Sequence, residues 1–521
     1  MEKLIIHPPE GEQSAALISA SDRSKQLSEW LGEHQMRLNT RCGQRGLCRG
    51  CQVEMDCDSG TVLRRSCQIK IKDLPSDLNS IRIPTTSWSD QSLHGVSLFE
   101  LNSDPEEGSS RSGIGMALDI GTTTVAGALW DLSDGKCLAT ASLANAQGRY
   151  GDNVLARINH AVEKENGIQD LQKALVQDSL LPLLKILCQQ SGLGSDAITE
   201  ANASGNTVML HTLAGEPLVG MSKYPFKPVF LERRLMDSKD LGYADSFQME
   251  LLPSPGPFVG ADITSGVVAS GMLKSDAPEL LIDFGTNGEI ILKHNGRYLA
   301  TATAAGPAFE GGRLTCGAAA KDGVISSLKR TNDKWEWILS GKSTSQPNGL
   351  SGAAYVDFIA EAKRAGLVNS SGRYVRDHPE VVSREEDGQI QRLVNLTKTV
   401  YVTEPDIAEL IQAKAAIAGG VMTLLELAGL EPTDLGKIYI SGGFGYYLDL
   451  ANAMEIGLIP EVPMKTLQVL GNSSLGGASL LLISRNLASL QPMLDSCEVV
   501  ELNQTDCFED HFIDAMVLEA E

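Results

Sequence analysis

The chain has 521 residues, of which 42% are hydrophobic, and its formal net charge at pH 7 is -22. A chain this acidic repels the phosphates of nucleic acids, so the composition argues against a nucleic-acid partner. The sequence contains no run of about 18 consecutive apolar residues and opens with neither a signal core nor a lipidation motif. We therefore expect a cytoplasmic, multidomain enzyme without a membrane partner.

Four cysteines near the N-terminus are spaced C-x5-C-x2-C-x15-C. The first three lie on one glycine-containing loop, and the fourth follows a strand-like run at 61–63. This spacing is typical of a plant-type 2Fe-2S site, in which four thiolates ligate two irons. The predicted cluster ligands are Cys42, Cys48, Cys51 and Cys67.

Other uses of these cysteines fit the sequence less well. A structural zinc site usually presents its ligands as two closely spaced pairs, which this spacing does not provide. Disulfides are disfavoured because the other six cysteines are scattered along a chain large enough to fold without them. Cys57 is a competitor for Cys67, since it lies between the third and fourth predicted ligands. We prefer Cys67 because the sequence around it returns the chain to the cysteine loop.

The chain divides by pattern into three stretches. Residues 1–85 combine short strand-like runs with a helix predicted at 22–31, which indicates an α+β ferredoxin-like β-grasp domain. Residues 86–113 lose this periodicity and collect serine, glycine and acidic residues, so they read as a flexible linker with a span of about 30 Å. From residue 114 to 521, β-branched strands alternate with amphipathic helices, the pattern of an α/β protein.

Two segments of the α/β region share a hairpin pattern that is typical of phosphate binding. In each, a strand-like run ends at an aspartate that can hold Mg²⁺ through water, and a glycine and hydroxyl or amide donors follow at the turn. One such turn is a weak signal, whereas two of them a domain's length apart indicate duplicated halves that face one nucleotide. The first hairpin supplies Asp119, Gly121, Thr122 and Thr123, and the second supplies Asp283, Gly285, Thr286, Asn287 and Gly288.

A third segment, at 438–445, places Gly442 and Gly443 directly after a strand predicted to be buried. A flat ring or a ribose can lie against such bare backbone. Two further segments, at 259–271 and 471–482, are rich in small residues, and we predict that they form helices that cross closely beneath a cleft.

In this order the segments resemble the phosphate 1, connect 1, phosphate 2, adenosine and connect 2 motifs of the ASKHA superfamily, which unites acetate and sugar kinases, heat-shock chaperones and actin. More narrowly, a ferredoxin module ahead of VGADI, LIDFGTNGEI, AAGPAFEGG, QAKAAI and SGGFG is similar to the reductive activators of corrinoid proteins, including O-demethylase activating enzymes. The likeness covers nearly the whole chain. It implies a two-lobed, ribonuclease H-like ATPase with lobes of about 114–278 and 279–521.

The resemblance also implies a function. ATP would drive the transfer of one electron from the 2Fe-2S cluster to Co(II) cobalamin, which regenerates Co(I) on a corrinoid protein of a methyltransferase system. The expected cofactors are the 2Fe-2S cluster, ATP and Mg²⁺. The expected partners are that corrinoid protein, an electron donor to the cluster, and a second copy of the chain in a homodimer.

Residue roles follow from the same resemblance. Residues 119–123 and 283–287 would bind phosphates and Mg²⁺, with Asp119 and Asp283 in the catalytic centre. The adenosine would lie on Gly442, Gly443 and Phe444. Further nucleotide contacts are expected from Glu289 and from Gly306 in the AAGPAFEGG segment.

The general base for hydrolysis is expected beside the cleft. Asp262 and Glu289 both have positions from which a carboxylate could orient the attacking water. Asp262 has the better case, since members of the superfamily often place an acid near connect 1, but a helix-capping role for it is an equal alternative. Glu310 and Asn206 are expected to face the nucleotide or the partner protein, with simple turn-forming roles as an equal alternative, and His211, in an apolar stretch, is expected to be a core histidine.

The chain departs from the family pattern at two places. Many relatives carry a middle domain between the ferredoxin and ATPase parts, and the linker at 86–113 leaves no room for one. The segment 349–354 has alanines where the family usually has serine and glycine.

The sequence leaves two rival functions open: a small-molecule kinase, which has no need of a 2Fe-2S module, and a redox-sensing ATPase that delivers no electron.

Overall fold

The structure, a computed structural model, describes residues 2–8, 14–34, 36, 38, 51–84, 112–318, 322–340, 346–386 and 389–519. The chain divides into two compact units. Unit 1 comprises Met1–Ser92 and Gln147–Asp152, and unit 2 comprises Leu93–Ala146 and Asn153–Glu521. Of the predicted linker, only residues 112–113 are among those described.

Unit 1 is built on a five-stranded mixed sheet in the order β2-β1-β5-β3-β4. Its elements are β1 (Glu2–His7), β2 (Ser14–Ile18), α1 (Leu27–Glu33), β3 (Gln52–Cys57), β4 (Gly60–Arg65) and β5 (Leu78–Arg82). β1 and β5 pair in parallel, and the other neighbouring strands are antiparallel. Leu27, Trp30 and Leu31 recur at helical spacing, so α1 buries one face in the core of this unit. The helix predicted at 22–31 is in fact a 3₁₀ turn, Ala20–Ser24, followed by α1.

The first lobe of unit 2 has a six-stranded sheet in the order β10-β11-β9-β6-β7-β8. Its strands are β6 (Ile114–Ile120), β7 (Thr124–Asp131), β8 (Lys136–Ala144), β9 (Ile198–Gly205), β10 (Arg234–Asp237) and β11 (Gln248–Leu251). Its helices are α2 (Val154–Glu163), α3 (Gly167–Leu175), α4 (Leu181–Ser191), α5 (Thr207–Ala214) and α6 (Ala261–Ser270).

The second lobe has a six-stranded sheet in the order β22-β21-β12-β13-β14-β23 and two three-stranded sheets. Its strands are β12 (Glu279–Phe284), β13 (Gly288–His294), β14 (Arg297–Thr303), β15 (Val324–Thr331), β16 (Lys334–Leu339), β17 (Gly349–Leu350), β18 (Val381–Glu386), β19 (Gln389–Asn395), β20 (Tyr401–Thr403), β21 (Lys437–Ser441), β22 (Leu467–Gly471) and β23 (Cys497–Val499). Its helices are α7 (Gly352–Arg364), α8 (Glu404–Ala428), α9 (Gly442–Tyr446), α10 (Leu450–Glu455), α11 (Ser473–Ser484), α12 (Gln491–Ser496) and α13 (Asp506–Asp514).

The two large sheets repeat one arrangement. In the first, the antiparallel meander β6-β7-β8 is extended beyond β6 by the parallel strands β9 and β11. In the second, the meander β12-β13-β14 is extended beyond β12 by β21 and β22, again in parallel. Each sequence hairpin with the Asp-x-Gly-Thr pattern is therefore the first turn of a meander, at the same place in each half.

The longest helix, α8, belongs to the protein core. Among the described residues it is the one helix long and apolar enough to cross a membrane, but 78% of its apolar window is buried inside the protein. It packs against the second large sheet, and Ile407, Ile417 and Leu424 belong to the largest core cluster of the chain. Its apolar length is thus explained by packing within the second lobe.

Candidate functional site

The turns at the tips of the two predicted phosphate-binding hairpins, β6–β7 and β12–β13, meet in the structure. The Oγ1 atoms of Thr123 and Thr286, which are 163 positions apart in the sequence, lie 2.7 Å from one another. Both hydroxyls also contact Glu310, Thr123 with Oε2 at 2.8 Å and Thr286 with Oε1 at 3.0 Å. Burial raises the pKa of Glu310, while the two threonine hydroxyls, as donors to its carboxyl group, oppose that rise. The two hydroxyls and the carboxyl group thus form a closed ring of contacts between the two halves.

The remaining predicted residues of the two tips lie around this ring. Thr122 is buried, Gly121 and Asn287 are half-buried, and Gly288 begins β13. Gly285 N–H donates to Asn287 O at 3.1 Å, which tightens the second tip. The structure thus gathers both predicted phosphate-binding segments at one cleft.

Asp119 accepts hydrogen bonds at both carboxylate oxygens. Asn472 Nδ2 donates to Oδ2 at 2.9 Å, and Ser474 Oγ donates to Oδ1 at 2.7 Å. Asn472 is the N-cap residue of α11, so the carboxylate lies at the positive end of that helix. Burial raises the pKa of Asp119, while the two hydrogen bonds oppose that rise.

Asp283 occupies the corresponding place in the second half. Ser441, at the end of β21, hydrogen-bonds to its carboxyl group, and Ser441 Oγ in turn contacts Ser473 Oγ on α11. Burial is the main cause that raises the pKa of Asp283 to about 8, and the charges of Asp262 and Asp119 add to it. Without a bound cation, Asp283 therefore carries a proton at neutral pH.

Asp262 and Glu289 complete this group of neighbouring acids. Asp262 lies in the first turn of α6, where Ile263 N–H donates to its Oδ1 at 3.0 Å. Burial, with the charge of Asp119, raises the pKa of Asp262 to about 7. Glu289 Oε1 accepts from Asn206 Nδ2 at 3.4 Å, and burial, with Asp262 and Asp283, raises its pKa well above the usual value. Acids that repel one another this strongly favour a bound cation.

A fully buried arginine supports the first tip. Arg157 is 1% exposed, and its guanidinium donates to Thr122 O and contacts Met209 Sδ at 3.2 Å. Its positive charge lowers the pKa of Glu310, against the effect of burial. Sequence reasoning missed this residue, although the buried face of α2 reads Val154, Arg157, Ile158, with an arginine where an apolar residue is expected.

The glycines after β21 leave backbone accessible. At Gly442, where φ is +90°, a Cβ atom would lie 2.3 Å from Phe284 O and 2.8 Å from Asp283 Oδ1, so no side chain fits. Gly443 is exposed, and a Cβ atom there would meet nothing within 4 Å. The half-buried Gly306 is equally open on its Cβ side. Gly442 and the adjoining Gly443 thus leave room for a flat ligand beside Asp283.

The side chain of Phe444 packs in the core of the second lobe. Its side chain is 8% exposed, and its ring packs on Phe309 and Phe284 with centroid distances of 4.8 and 5.5 Å. Apolar burial of the ring outweighs any surface role, because α9 turns it under the cleft. The backbone of Phe444 follows the exposed Gly443, so the predicted contact of Phe444 with adenosine stays a prediction, made through its backbone.

The small-residue helices cross as predicted. A Cβ atom at Gly477 in α11 would lie 1.9 Å from Ser265 O in α6, and one at Gly266 would lie 3.1 Å from Ser473 Oγ. Beneath Asp119, Ser204 Oγ contacts the hydroxyls of Ser265 and Ser474, each at 2.9 Å. The close crossing thus brings hydroxyl groups of both helices together at Ser204, next to Ser474, which donates to Asp119.

Two other predicted residues have structural roles. Asn206 is the N-cap of α5, since its Oδ1 accepts from Val208 N–H at 3.0 Å, and its amide also reaches Glu289. His211 is fully buried, as expected of a core histidine. Its Nδ1–H donates to Thr207 O at 2.8 Å, its Nε2 accepts from Val229 N–H at 3.0 Å, and burial lowers its pKa. Asp262 follows the N-cap Gly260 and accepts from Ile263 N–H, so it satisfies a first-turn amide of α6, and the helix-capping alternative for it stays open beside the role of base.

In unit 1, two predicted cluster ligands flank the open end of the β3–β4 hairpin. Cys51 and Cys67 are both buried, and Ser66 joins them: its N–H donates to Cys51 O at 3.0 Å and its Oγ donates to the same oxygen at 2.8 Å. Gln68 Nε2 donates to Cys67 Sγ at 3.5 Å, a bond that favours a thiolate. Cys42 and Cys48 lie outside the described residues.

Cys57 lies at the other end of the same hairpin, where it pairs with Gly60. Six residue steps of extended chain, each of about 3.4 Å, separate it from Cys51 by about 20 Å. A 2Fe-2S cluster is far smaller than this distance, so Cys57 cannot share a cluster with Cys51. Within the described part of unit 1, the geometry therefore favours Cys67 over Cys57 as the fourth ligand.

Models of two regions of one family match most of unit 2. The model described as the C-terminal domain of RACo, the ASKHA domain, matches residues 277–521, and the model described as the RACo middle region matches residues 114–275. The chain belongs to the RACo family. The predicted ASKHA-type fold of the C-terminal region is thereby confirmed.

Individual relatives agree with this assignment. The corrinoid activation enzyme RamQ of Eubacterium limosum is 31% identical over 391 residues, which cover 72% of this chain and 65% of RamQ, just under two thirds. The [Co(II) methylated amine-specific corrinoid protein] reductase of Methanosarcina barkeri is 23% identical over 403 residues, covering 71% of this chain and 70% of that protein. A solved structure of a reductive activator for corrinoid, iron-sulfur protein is 26% identical, with a TM-score of 0.71, and covers 99% of this chain and 98% of that one.

The family match corrects one expectation. The short linker suggested that a RACo middle domain is missing, but the RACo middle region is matched by residues 114–275. These residues form the first lobe, with the β6–β7 hairpin. The middle region of the RACo family is thus present in this chain, and it contributes Asp119 and Thr123 to the cleft.

Proposed function

We propose that this protein is an ATP-dependent reductive activator that passes one electron from a 2Fe-2S cluster to Co(II) cobalamin on a corrinoid protein and so regenerates Co(I) for a methyltransferase. The observation that carries the proposal is the meeting of Thr123, Thr286 and Glu310, which builds one cleft from two hairpins in a member of the RACo family. The names of the relatives in that family support the corrinoid substrate.

The cleft suits Mg²⁺ and the phosphates of ATP. Asp119 and Asp283 lie at equivalent strand ends, so each would hold the ion through water from one half. The tips of the two hairpins would bind the phosphates with backbone N–H groups and threonine hydroxyls, which releases Glu310 from its ring of hydrogen bonds. The open backbone at Gly443 and Gly306 would receive the adenosine.

Asp262 is our candidate for the general base. A base works best when its pKa lies near the operating pH, and that of Asp262 is raised to about 7. Glu289 has a pKa raised well above its usual value and an amide partner in Asn206, which fixes its position and makes it a poorer match to neutral pH than Asp262. In this role Asp262 would orient the attacking water and take up its proton.

We infer that unit 1 is a ferredoxin-like β-grasp domain. The strand order β2-β1-β5-β3-β4 with a parallel central pair and one packed helix supports this assignment. Cys51 and Cys67, both buried and bridged by Ser66, fit a four-thiolate 2Fe-2S site completed by Cys42 and Cys48. When bound, such a cluster supplies single electrons, which an electron donor must restore. Residues 86–113 would be the tether that lets this domain reach more than one docking site.

ATP is required because reduction of Co(II) is uphill for a plant-type cluster near about -400 mV. An activator that binds the Co(I) state of its partner about 10⁴-fold tighter than the Co(II) state supplies about 5.5 kcal/mol. For one electron, this corresponds to about 240 mV at about 59 mV per decade. A complex this selective releases its product slowly, so hydrolysis in the cleft would drive release and reset the activator. We place this reaction in the cytoplasm.

The proposal is tested anaerobically with the full chain carrying its cluster. Reduced protein is mixed with a Co(II) corrinoid protein and Mg-ATP, and Co(I) absorbance is followed. Cys67→Ser is expected to abolish Co(I) formation, whereas the matched control Cys57→Ser retains it, because Cys57 is about 20 Å from Cys51 along the hairpin. ATP hydrolysis without cobalt reduction across several corrinoid partners would contradict the proposal and favour a redox-sensing ATPase or a kinase.

A further inference from the structure

Three metal-ligating side chains converge on the surface of the second lobe, away from the acids of the cleft. Cys507 and His511 are one turn apart on α13, and Glu426 lies near the end of α8. One ligand atom from each lies within 4.8 Å of the other two, and His511 Nε2 is 2.7 Å from Glu426 Oε2. Neither the cleft nor the cysteines of unit 1 involve these residues.

The packing of α13 on α8 explains why these side chains meet. Gly419 allows the helices to touch, since a Cβ atom there would lie 3.0 Å from Phe512 N. Ala415, Ala418 and Ala515 form a small buried cluster at the same interface. Gly419 and Glu426 are seven residues apart and therefore on the same face of α8, and residues i and i+4 share a face of α13. The three donors are thus positioned by the backbones of two packed helices.

We propose that Glu426, Cys507 and His511 form a structural site for a zinc-type divalent cation that fastens α13 to α8. One thiolate, one imidazole and one carboxylate are a donor set suited to zinc, and a water molecule would complete a tetrahedron. Binding would exchange the thiol proton of Cys507 for the cation and release that proton to solvent.

The site would secure the end of the chain to the lobe that carries the cleft. Farther along the same helix pair, Lys414 Nζ donates to Ala515 O at 2.7 Å and Val517 O at 2.6 Å. The cation would act at the opposite end of α13 from these bonds. Together the two attachments hold both ends of α13 against α8.

The experiment uses the full chain with its cluster loaded anaerobically, dialysed against a chelator and then titrated with zinc chloride. We expect one zinc per chain, with one sulfur at about 2.3 Å and nitrogen or oxygen ligands at about 2.0–2.1 Å by X-ray absorption. Cys507→Ser and His511→Gln should weaken binding by about 100-fold or more, since even residues that only support ligands cost 10- to 100-fold. Zinc should also raise the melting temperature of the unaltered protein alone.

Cys137→Ser is the matched control, because Cys137 is an exposed thiol in the first lobe and its loss should change nothing. ATP hydrolysis by each variant shows whether it folds, and Glu426→Gln replaces Cys507→Ser as the test if that variant does not. Equal zinc affinity in the unaltered protein and the variants would overturn the proposal. So would a zinc ion with four sulfur ligands, which would place it in the cluster loop.

Discussion

The two hairpins of the cleft have the same strand order and the same Asp-x-Gly-Thr pattern, yet their aspartates have different hydrogen-bond partners. Asp119 is stabilised as a carboxylate by two donors, Asn472 and Ser474. Asp283 has the Ser441 hydroxyl and two acidic neighbours, and its pKa is raised to about 8. The duplicated backbone therefore fixes where each aspartate lies, whereas neighbours supplied by other elements set the hydrogen bonds and charges that act on its pKa.

This difference suggests a division of labour in the proposed ATPase. Asp283 of the second half would lose its proton when Mg²⁺ enters, whereas the two donors on Asp119 of the first half already oppose the rise of its pKa.

The largest effect is expected from replacing the general base. It shows which half of the cleft supplies that base. Asp262→Asn should lower kcat for ATP hydrolysis by about 10²- to 10⁴-fold, the usual contribution of a general base. In the unaltered protein kcat/KM should rise with pH through about 7, the pKa of Asp262, and the variant should lose this rise. If Glu289→Gln is more damaging and removes the pH dependence, the base belongs to the second hairpin.

The next-largest effect is on the pH dependence of stability, and it distinguishes Asp283 from Asp119. Because the pKa of folded Asp283 lies above its unfolded value, the stability it contributes is complete at low pH and is lost as pH rises from about 4 through 8. Asp283→Asn removes this loss, so without nucleotide it should be more stable near pH 8 by a few kcal/mol, although inactive in ATP hydrolysis. Urea unfolding at pH 6 and pH 8 measures this. An equal gain from Asp119→Asn would refute the difference between the halves.

A smaller effect tests the contact between the halves. Thr123→Val and Thr286→Val each remove one hydroxyl from the ring that Glu310 completes. Each leaves a polar group short of a partner, so the two losses should not add. A double-mutant cycle on unfolding free energy should give a coupling of about 0.5–3 kcal/mol. Simple additivity would mean that the tips do not meet in solution.

The smallest effect concerns the first half in acid. Burial lowers the pKa of His211, so the stability that the neutral ring contributes is present above the unfolded pKa of about 6.5 and is lost as pH falls below it. The loss should be at most about 1.4 kcal/mol per pH unit. Urea unfolding between pH 5 and pH 7 should show this slope, and His211→Asn should flatten it. An unchanged slope in the variant would show that other groups cause it.

Local patterns in the sequence predicted both hairpins, because strand alternation and the glycine turn are encoded within about fifteen residues. They also predicted the close crossing of α6 and α11, because small side chains let the backbones of two helices approach each other closely. The spacing of the cysteines predicted a ligand set, of which Cys51 and Cys67 are seen together at one end of a hairpin.

The sequence could not reveal the partners of these elements. Asn472 and Ser474 reach Asp119 from more than 350 positions away, and Arg157 reaches Thr122 from the buried face of a separate helix. The orientation of the Phe444 side chain could not be predicted either, because a phenylalanine after two glycines can face a ligand or the core. Such contacts depend on tertiary packing rather than on local pattern.

The most direct test of the account is the nucleotide dependence of cobalt reduction in a single turnover. Reduced, cluster-loaded protein and its Asp283→Asn variant are each mixed anaerobically with a Co(II) corrinoid protein, with and without Mg-ATP, and Co(I) absorbance is recorded. We expect Co(I) from the unaltered protein with Mg-ATP and none from the variant under either condition. Equal Co(I) formation with and without Mg-ATP, or by the variant, would contradict the claim that the two-halved cleft drives the reduction.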